Sequence, residues 1–206
     1  MDRMTRNAGR LVALAISAGL LVAPAPAGTE WTRADHETVR VRPARFGALP
    51  APIRSELDRR GCTIPQPFTA DAEHLENAIR GHFVSRASAD WAVLCSRNRR
   101  SAILVFRSGD VSTIDEIGAE DDVTRLQVTG PGRIGYSRRI SAVRARELRE
   151  LDRSPDPSLP MPDHDGIQDA FIEKGSVVWY WSGRRWLRIA GEGASASPGR
   201  ESAGRR

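Results

Sequence analysis

The sequence predicts an α+β fold: short helices near the beginning, then an antiparallel sheet of hairpins and meanders, all in one small domain. Three observations predict it. Residues 90–95, 101–107 and 176–181 are runs of β-branched, aromatic and aliphatic residues bounded by turn formers. Apolar residues at helical spacing occur only in short stretches. The 206 residues, 40% hydrophobic and 28% charged, suffice for one core and exclude a large multi-domain machine.

Residues 1–27 read as a secretory signal. Arg3, Arg6 and Arg10 form a basic start, Leu11 to Val22 is apolar apart from Ser17 and Gly19, and Ala25-Pro26-Ala27 offers small residues for cleavage after Ala27. About twelve apolar residues rise only ~18 Å as a helix, too little for a hydrocarbon core of ~30 Å. The expectation is a chain exported to the periplasm or beyond, with no membrane span after cleavage. Residues 28–50, with Gly28, Pro43, Gly47 and Pro50 among scattered charges, read as an extended arm.

The net charge of +5 invites a nucleic-acid reading. However, every basic residue but Lys174 is arginine, the arginines lie beside acids, and no basic stripe is interleaved with aromatics. Nucleic acid is therefore not the expected partner.

The domain proper is expected over 51–190. Pro52 suits a first helical turn, Ile53 and Leu57 fall four apart, and Gly61 suits the position past a helix end at Arg60. Prolines at 65 and 67 hold 63–68 extended. Asp71 caps a second helix to Gly81, with Leu75, Ala78 and Ile79 as its apolar stripe. Strands over 90–95 and 101–107 flank a polar loop, 96–100. Residues 111–117 fit a short strand or a helical turn. A strand around 134–140 precedes a helix over 141–152, and the prolines of 153–163 make an extended linker. Strands over 169–173, 176–181 and 185–190 form a last meander, and 191–206 has the composition of a disordered tail.

Cys62 and Cys95 are the only cysteines. An even count in an exported chain reads first as a disulfide. Such a bridge closes about 34 residues, worth about 3.5–4 kcal/mol in the chain-entropy model. A catalytic thiol needs exposure and a neighbouring base, whereas Cys95 ends the apolar run Trp91-Ala92-Val93-Leu94.

Candidate chemistry concentrates in Asp163-His164-Asp165-Gly166, with Asp169 four positions after Asp165. Carboxylates two apart around a glycine turn can converge on a calcium ion, so Asp163, Asp165 and Asp169 are candidate ligands. The same residues also serve as an ordinary turn satisfying its own backbone donors, and no cofactor is otherwise expected. Gly81-His82-Phe83 before Asp90-Trp91-Ala92-Val93-Leu94, and Asp163 to Ile172, resemble the FG-GAP or VCBS repeats of extracellular propellers. That resemblance implies calcium at the aspartate loop, but the first unit has Ser85-Arg86-Ala87-Ser88-Ala89 where the aspartates belong. Two units also fall short of a propeller's blades. From Leu57 through Trp186 the chain is similar to exported bacterial proteins of uncharacterised function, which implies export and no particular activity.

His82 and His164 each open one repeat-like unit and so can meet in space. Val177, Trp179 and Trp181 point to one side of a strand, Val178 and Tyr180 to the other, and Trp186 lies across the hairpin. Such residues form either core or an exposed platform for a sugar or a protein. The functional expectation is an exported, non-catalytic binding domain with an envelope protein or a glycan as partner. Trp179, Trp181, Trp186, His82 and His164 are its candidate surface. The alternative is a small secreted hydrolase working through the acids of 163–169.

Overall fold

Two four-stranded antiparallel sheets share one apolar core, and helices cover their outer faces. A computed structural model describes residues 27–151, 163–191 and 193. Residues 1–26, where the secretory signal is expected, the proline-rich linker except Asp163, and nearly all of the expected tail lie outside the described residues. The α+β expectation holds in its coarse form, with strands predominant.

The first helix, α1 (Ala27–Glu37), leads into β1 (Arg40–Val41) and a 3-10 turn (Pro43–Arg45). The expected extended arm is thus a structured N-terminal layer. The apolar residues that α1 packs against the core are Trp31 and Ala34, three apart, too few to show a period, and burial against the core decides the conformation. Helix α2 (Ala51–Arg59) follows the sequence reading closely. Ile53 and Leu57 are fully buried, and the Cys62 N–H returns to Leu57 O at 2.9 Å to close the helix end. Strand β2 (Ile64–Pro65) then pairs with β1.

The second predicted helix is absent, and its end is the strand β3 (Ala78–Gly81). Asp71 does accept the N–H groups of Glu73 and His74, at 2.8 and 2.6 Å, but as a local turn. Asn77 stops any helix with φ 71°. Its side chain donates to Pro65 O and Arg138 O, at 2.7 and 3.1 Å, and accepts the Ile140 N–H at 2.9 Å. Ala78 and Ile79 accordingly face opposite cores, as period two requires.

Strands β4 (Asp90–Arg97) and β5 (Arg100–Phe106) form a hairpin whose turn is only Asn98-Arg99, both at positive φ. This two-residue turn replaces the longer polar loop read from the sequence. Residues 111–117 resolve as the approach to β6 (Ile114–Asp121), which completes the first sheet in the order β3-β4-β5-β6. The strand expected at 134–140 is split at Ser137. Its first half is β8 (Arg133–Tyr136), paired with β7 (Leu126–Gly130), and its second half is β9 (Arg138–Val143). Because 141–143 belong to β9, the next helix, α3, spans only Ala145–Leu151. Strands β10 (Gly166–Phe171), β11 (Gly175–Trp181) and β12 (Trp186–Ala190) complete the second sheet, β12-β11-β10-β9. The predicted single sheet is therefore two principal sheets and two small ribbons.

Alternation sorts the side chains into layers. Ala92, Leu94, Ile103 and Val105 meet Ile140, Ile167 and Trp179 between the sheets. Val93, Cys95, Leu104 and Phe106 face α2, and Val178, Tyr180 and Leu187 face α3. The Cys62–Cys95 disulfide, with Cα atoms 5.1 Å apart, pins the end of α2 to the outer face of β4. Replacing both cysteines by alanine should lower unfolding stability by about 3 kcal/mol, seen as a lower guanidinium midpoint with an intact β-sheet spectrum. An unchanged midpoint would show that the bridge does not constrain the fold.

Candidate functional site

The tryptophan row is core. Trp179, Trp181 and Trp186 are 6%, 9% and 4% exposed, so the aromatic platform considered from the sequence is not presented to solvent. Trp181 and Trp186 lie 5.7 Å apart, and the Arg107 guanidinium caps Trp181 at 4.1 Å while paired to Asp115. The sidedness read from the sequence is correct: odd positions face the intersheet core and even ones face α3. Burial on both faces is what removes the platform.

Two of the three candidate calcium ligands, Asp165 and Asp169, go to separate partners. Asp169 is 1% exposed and grips the fully buried Arg138, accepting from Nε at 2.9 Å and from Nη2 at 2.7 Å. Asp165 accepts the His82 N–H at 3.1 Å and lies 3.3 Å from Arg144 Nη1. Asp163 is exposed. The two repeat-like units do meet, since the Asp165 N–H donates back to His82 O at 2.8 Å. Their imidazoles are held by backbone: His82 Nδ1 contacts Ser88 O, while the buried His164 lies between Asp165 O and Trp181 O, at 3.1 and 2.9 Å. Asp90 anchors this end of the molecule by accepting from the N–H groups of Phe83, Val84 and Ser108 and from the Ser88 hydroxyl.

Arg138 uses all five of its N–H groups. Besides Asp169 it donates from Nη1 to Ser101 O and Oγ, each at 3.1 Å, and from Nη2 to Gly118 O at 2.6 Å. Burial alone would lower its pKa, but the charge and hydrogen bonds of Asp169 outweigh that and raise it above the ordinary arginine value. Gly118 is at φ +61°, and a Cβ there would lie 2.9 Å from Arg138 Nη2, so this strand needs glycine to reach the guanidinium.

The feature that the sequence does not show is a groove. Its walls are the end of α1, the stretch from Val39 to Val41 and the segment from Gln66 to Leu75, and β8 lies along it. This hollow of about 460 Å3 adjoins a second of about 840 Å3, and Ala34, Glu37, Phe68, Ile134 and Gly135 line both. Among the described residues four large apolar side chains are exposed, and three of them, Val39, Phe68 and Val128, line these hollows. Phe68 is held by its N–H, which donates to Tyr136 O at 2.7 Å. Gly135 permits that approach, because a Cβ would sit 2.7 Å from Phe68 Cβ. Three segments distant in the chain build the groove, and single apolar residues such as Val39 in polar surroundings are its only trace in the sequence.

Compared with protein-family models, curated proteins and solved structures, the chain matches none.

The Arg138–Asp169 pair gives a sharp expectation. Asp169→Asn leaves a buried guanidinium without its counter-charge and should cost about 3–5 kcal/mol in urea unfolding, whereas Arg138→Met with Asp169→Leu should cost clearly less. Equal losses for the single and double variants would contradict the pairing.

Proposed function

We propose that this chain is an exported, non-catalytic binding module, stapled by its disulfide, whose ligand seat is the groove between α1, the 66–75 segment and β8. The observation that carries this reading is the gathering of Val39, Phe68 and Val128 on these two adjoining hollows. Soluble domains seldom leave apolar side chains grouped around a concavity unless something covers them, and concave, mostly apolar pockets are the usual form of a ligand site. Export is supported by the leader-like residues 1–27 and by the buried disulfide, a bond that persists in oxidising compartments. The groove favours an envelope protein over a glycan as partner, because the aliphatic Val39 and Val128 are exposed on it beside Phe68, with charged and polar groups such as Glu37, Arg45 and Gln66 around them. The hydrolase alternative has less support, since Asp165 and Asp169 are committed to other groups and only Asp163 of its acids is exposed.

The dye anilinonaphthalene sulfonate should bind the folded protein with enhanced fluorescence. Val39→Glu and Phe68→Glu should each weaken binding by about tenfold or more, while the thermal midpoint of the Val39 variant stays put because that side chain is 63% exposed. Undiminished dye binding in both variants would remove the groove as the seat.

A further inference from the structure

We infer that the groove takes an extended segment of a partner protein as an added β-strand along the free edge of β8. This rests on the groove being the binding seat and names what fills it.

The argument starts from hydrogen-bond directions in the β7–β8 ribbon. In an antiparallel pair, residues alternate between facing the partner strand with both backbone groups and facing away from it. Tyr136 O points away from β7, since it accepts the Phe68 N–H. Tyr136 is opposite Leu126, Gly135 opposite Gln127 and Ile134 opposite Val128. Ile134, two residues from Tyr136, therefore also turns its N–H and C=O away from β7. Among the described residues no strand pairs with this edge and none bonds these two groups.

The chain itself supplies the first rung of the missing strand and then leaves. Phe68 bonds the edge at Tyr136, after which the turn closed by Ala70 N–H to Pro67 O, at 2.9 Å, carries the backbone away before it reaches Ile134. A partner strand would continue from that point, exchanging two backbone hydrogen bonds with Ile134. Its alternate side chains would reach the apolar floor, where Ile134 and Phe68 line both hollows. Unpaired edges beside apolar pockets are the general basis of strand addition, with backbone bonds giving affinity and pockets giving sequence preference.

Charge adds a directional cue. Arg133, at the turn end of β8, borders the groove and makes no ion pair among the described residues, while Glu30 and the Arg33–Glu37 pair line the same hollow from α1. An acidic residue flanking the apolar stretch of the partner at that end is the complementary choice.

The test is selection of binders from a random linear-peptide display library against the purified protein. Enriched peptides should alternate apolar with polar residues and carry an Asp or Glu at one flank. Their binding should slow hydrogen exchange at the Ile134 amide. N-methylation of the peptide amide that faces β8 should weaken binding about tenfold, and Arg133→Glu should weaken it in a salt-dependent way. Peptides that bind without protecting Ile134, or tolerate N-methylation at every position, would overturn strand addition. If the dye binds the groove and no peptide is selected, strand addition alone fails. If the dye also ignores Val39→Glu and Phe68→Glu, the binding seat itself is wrong.

Discussion

A guanidinium with no exposure to water must have every N–H met by oxygen and its charge met by a carboxylate, and this constraint organises the molecule. Arg138 stands on β9 and Asp169 on the neighbouring β10, but the remaining donors reach Ser101 on β5 and Gly118 on β6, in the other sheet. The two sheets are not joined by a backbone ladder. Their relative position is fixed by Arg138, by Asn77 bonding the backbone of β9, and by the apolar core between them. A buried ion pair contributes little net stability compared with well-packed apolar residues. Its effect here is to specify one register: any slip of β6 against β9 would strand the guanidinium. The left-handed Gly118 and the fully satisfied fork are consistent with a site selected for uniqueness.

A second polar network fixes the wall of the groove. Asp35, on α1, holds Arg40 Nη2 at 2.5 Å and Arg99 Nη1 at 2.7 Å. Arg40 also bonds the buried Asp122, which accepts the Ser96 hydroxyl. The charges and hydrogen bonds of Asp122 and Asp35 raise the Arg40 pKa against the opposing effect of burial. Helix α1 is thereby tied to the tip of the β4–β5 hairpin and to the turn after β6, so the end of α1 that borders Val39 is held by ion pairs rather than by apolar packing alone. A groove held this way keeps its shape without a ligand, which lowers the ordering cost of binding.

Much of this architecture was legible in the sequence where local signals and burial agree. The helix at Ile53 and Leu57 and the β4–β5 and β10–β11 hairpins have neighbours in sequence as neighbours in space, whereas the disulfide, 33 residues apart, is legible because Cys62 and Cys95 are the only cysteines. Sequence pattern and structure part where a distant contact decides. Leu75, Ala78 and Ile79 carry a helical spacing, but Asn77 adopts the left-handed conformation because Arg138 and Ile140 need its side chain. The N-terminal arm looks aperiodic because a helix whose apolar contacts with the core are Trp31 and Ala34 has too little to repeat. Asp169 read as a possible metal ligand because its partner is 31 residues earlier. The β11 side chains alternate as their spacing indicates, Trp179 and Trp181 to one side and Val178 and Tyr180 to the other, yet exposure depends on what lies opposite each side, which a single strand does not encode. The groove is invisible for the same reason: its pieces meet only after folding.

The central claim, that the Val39 and Phe68 groove is where this protein meets its partner, is tested most directly by photo-crosslinking in the cells that make it. Benzoylphenylalanine placed at position 39 should yield a discrete protein adduct on illumination, and the same group at Arg149, exposed on α3, should not. Adducts formed equally from both positions, or from Arg149 alone, would contradict the account.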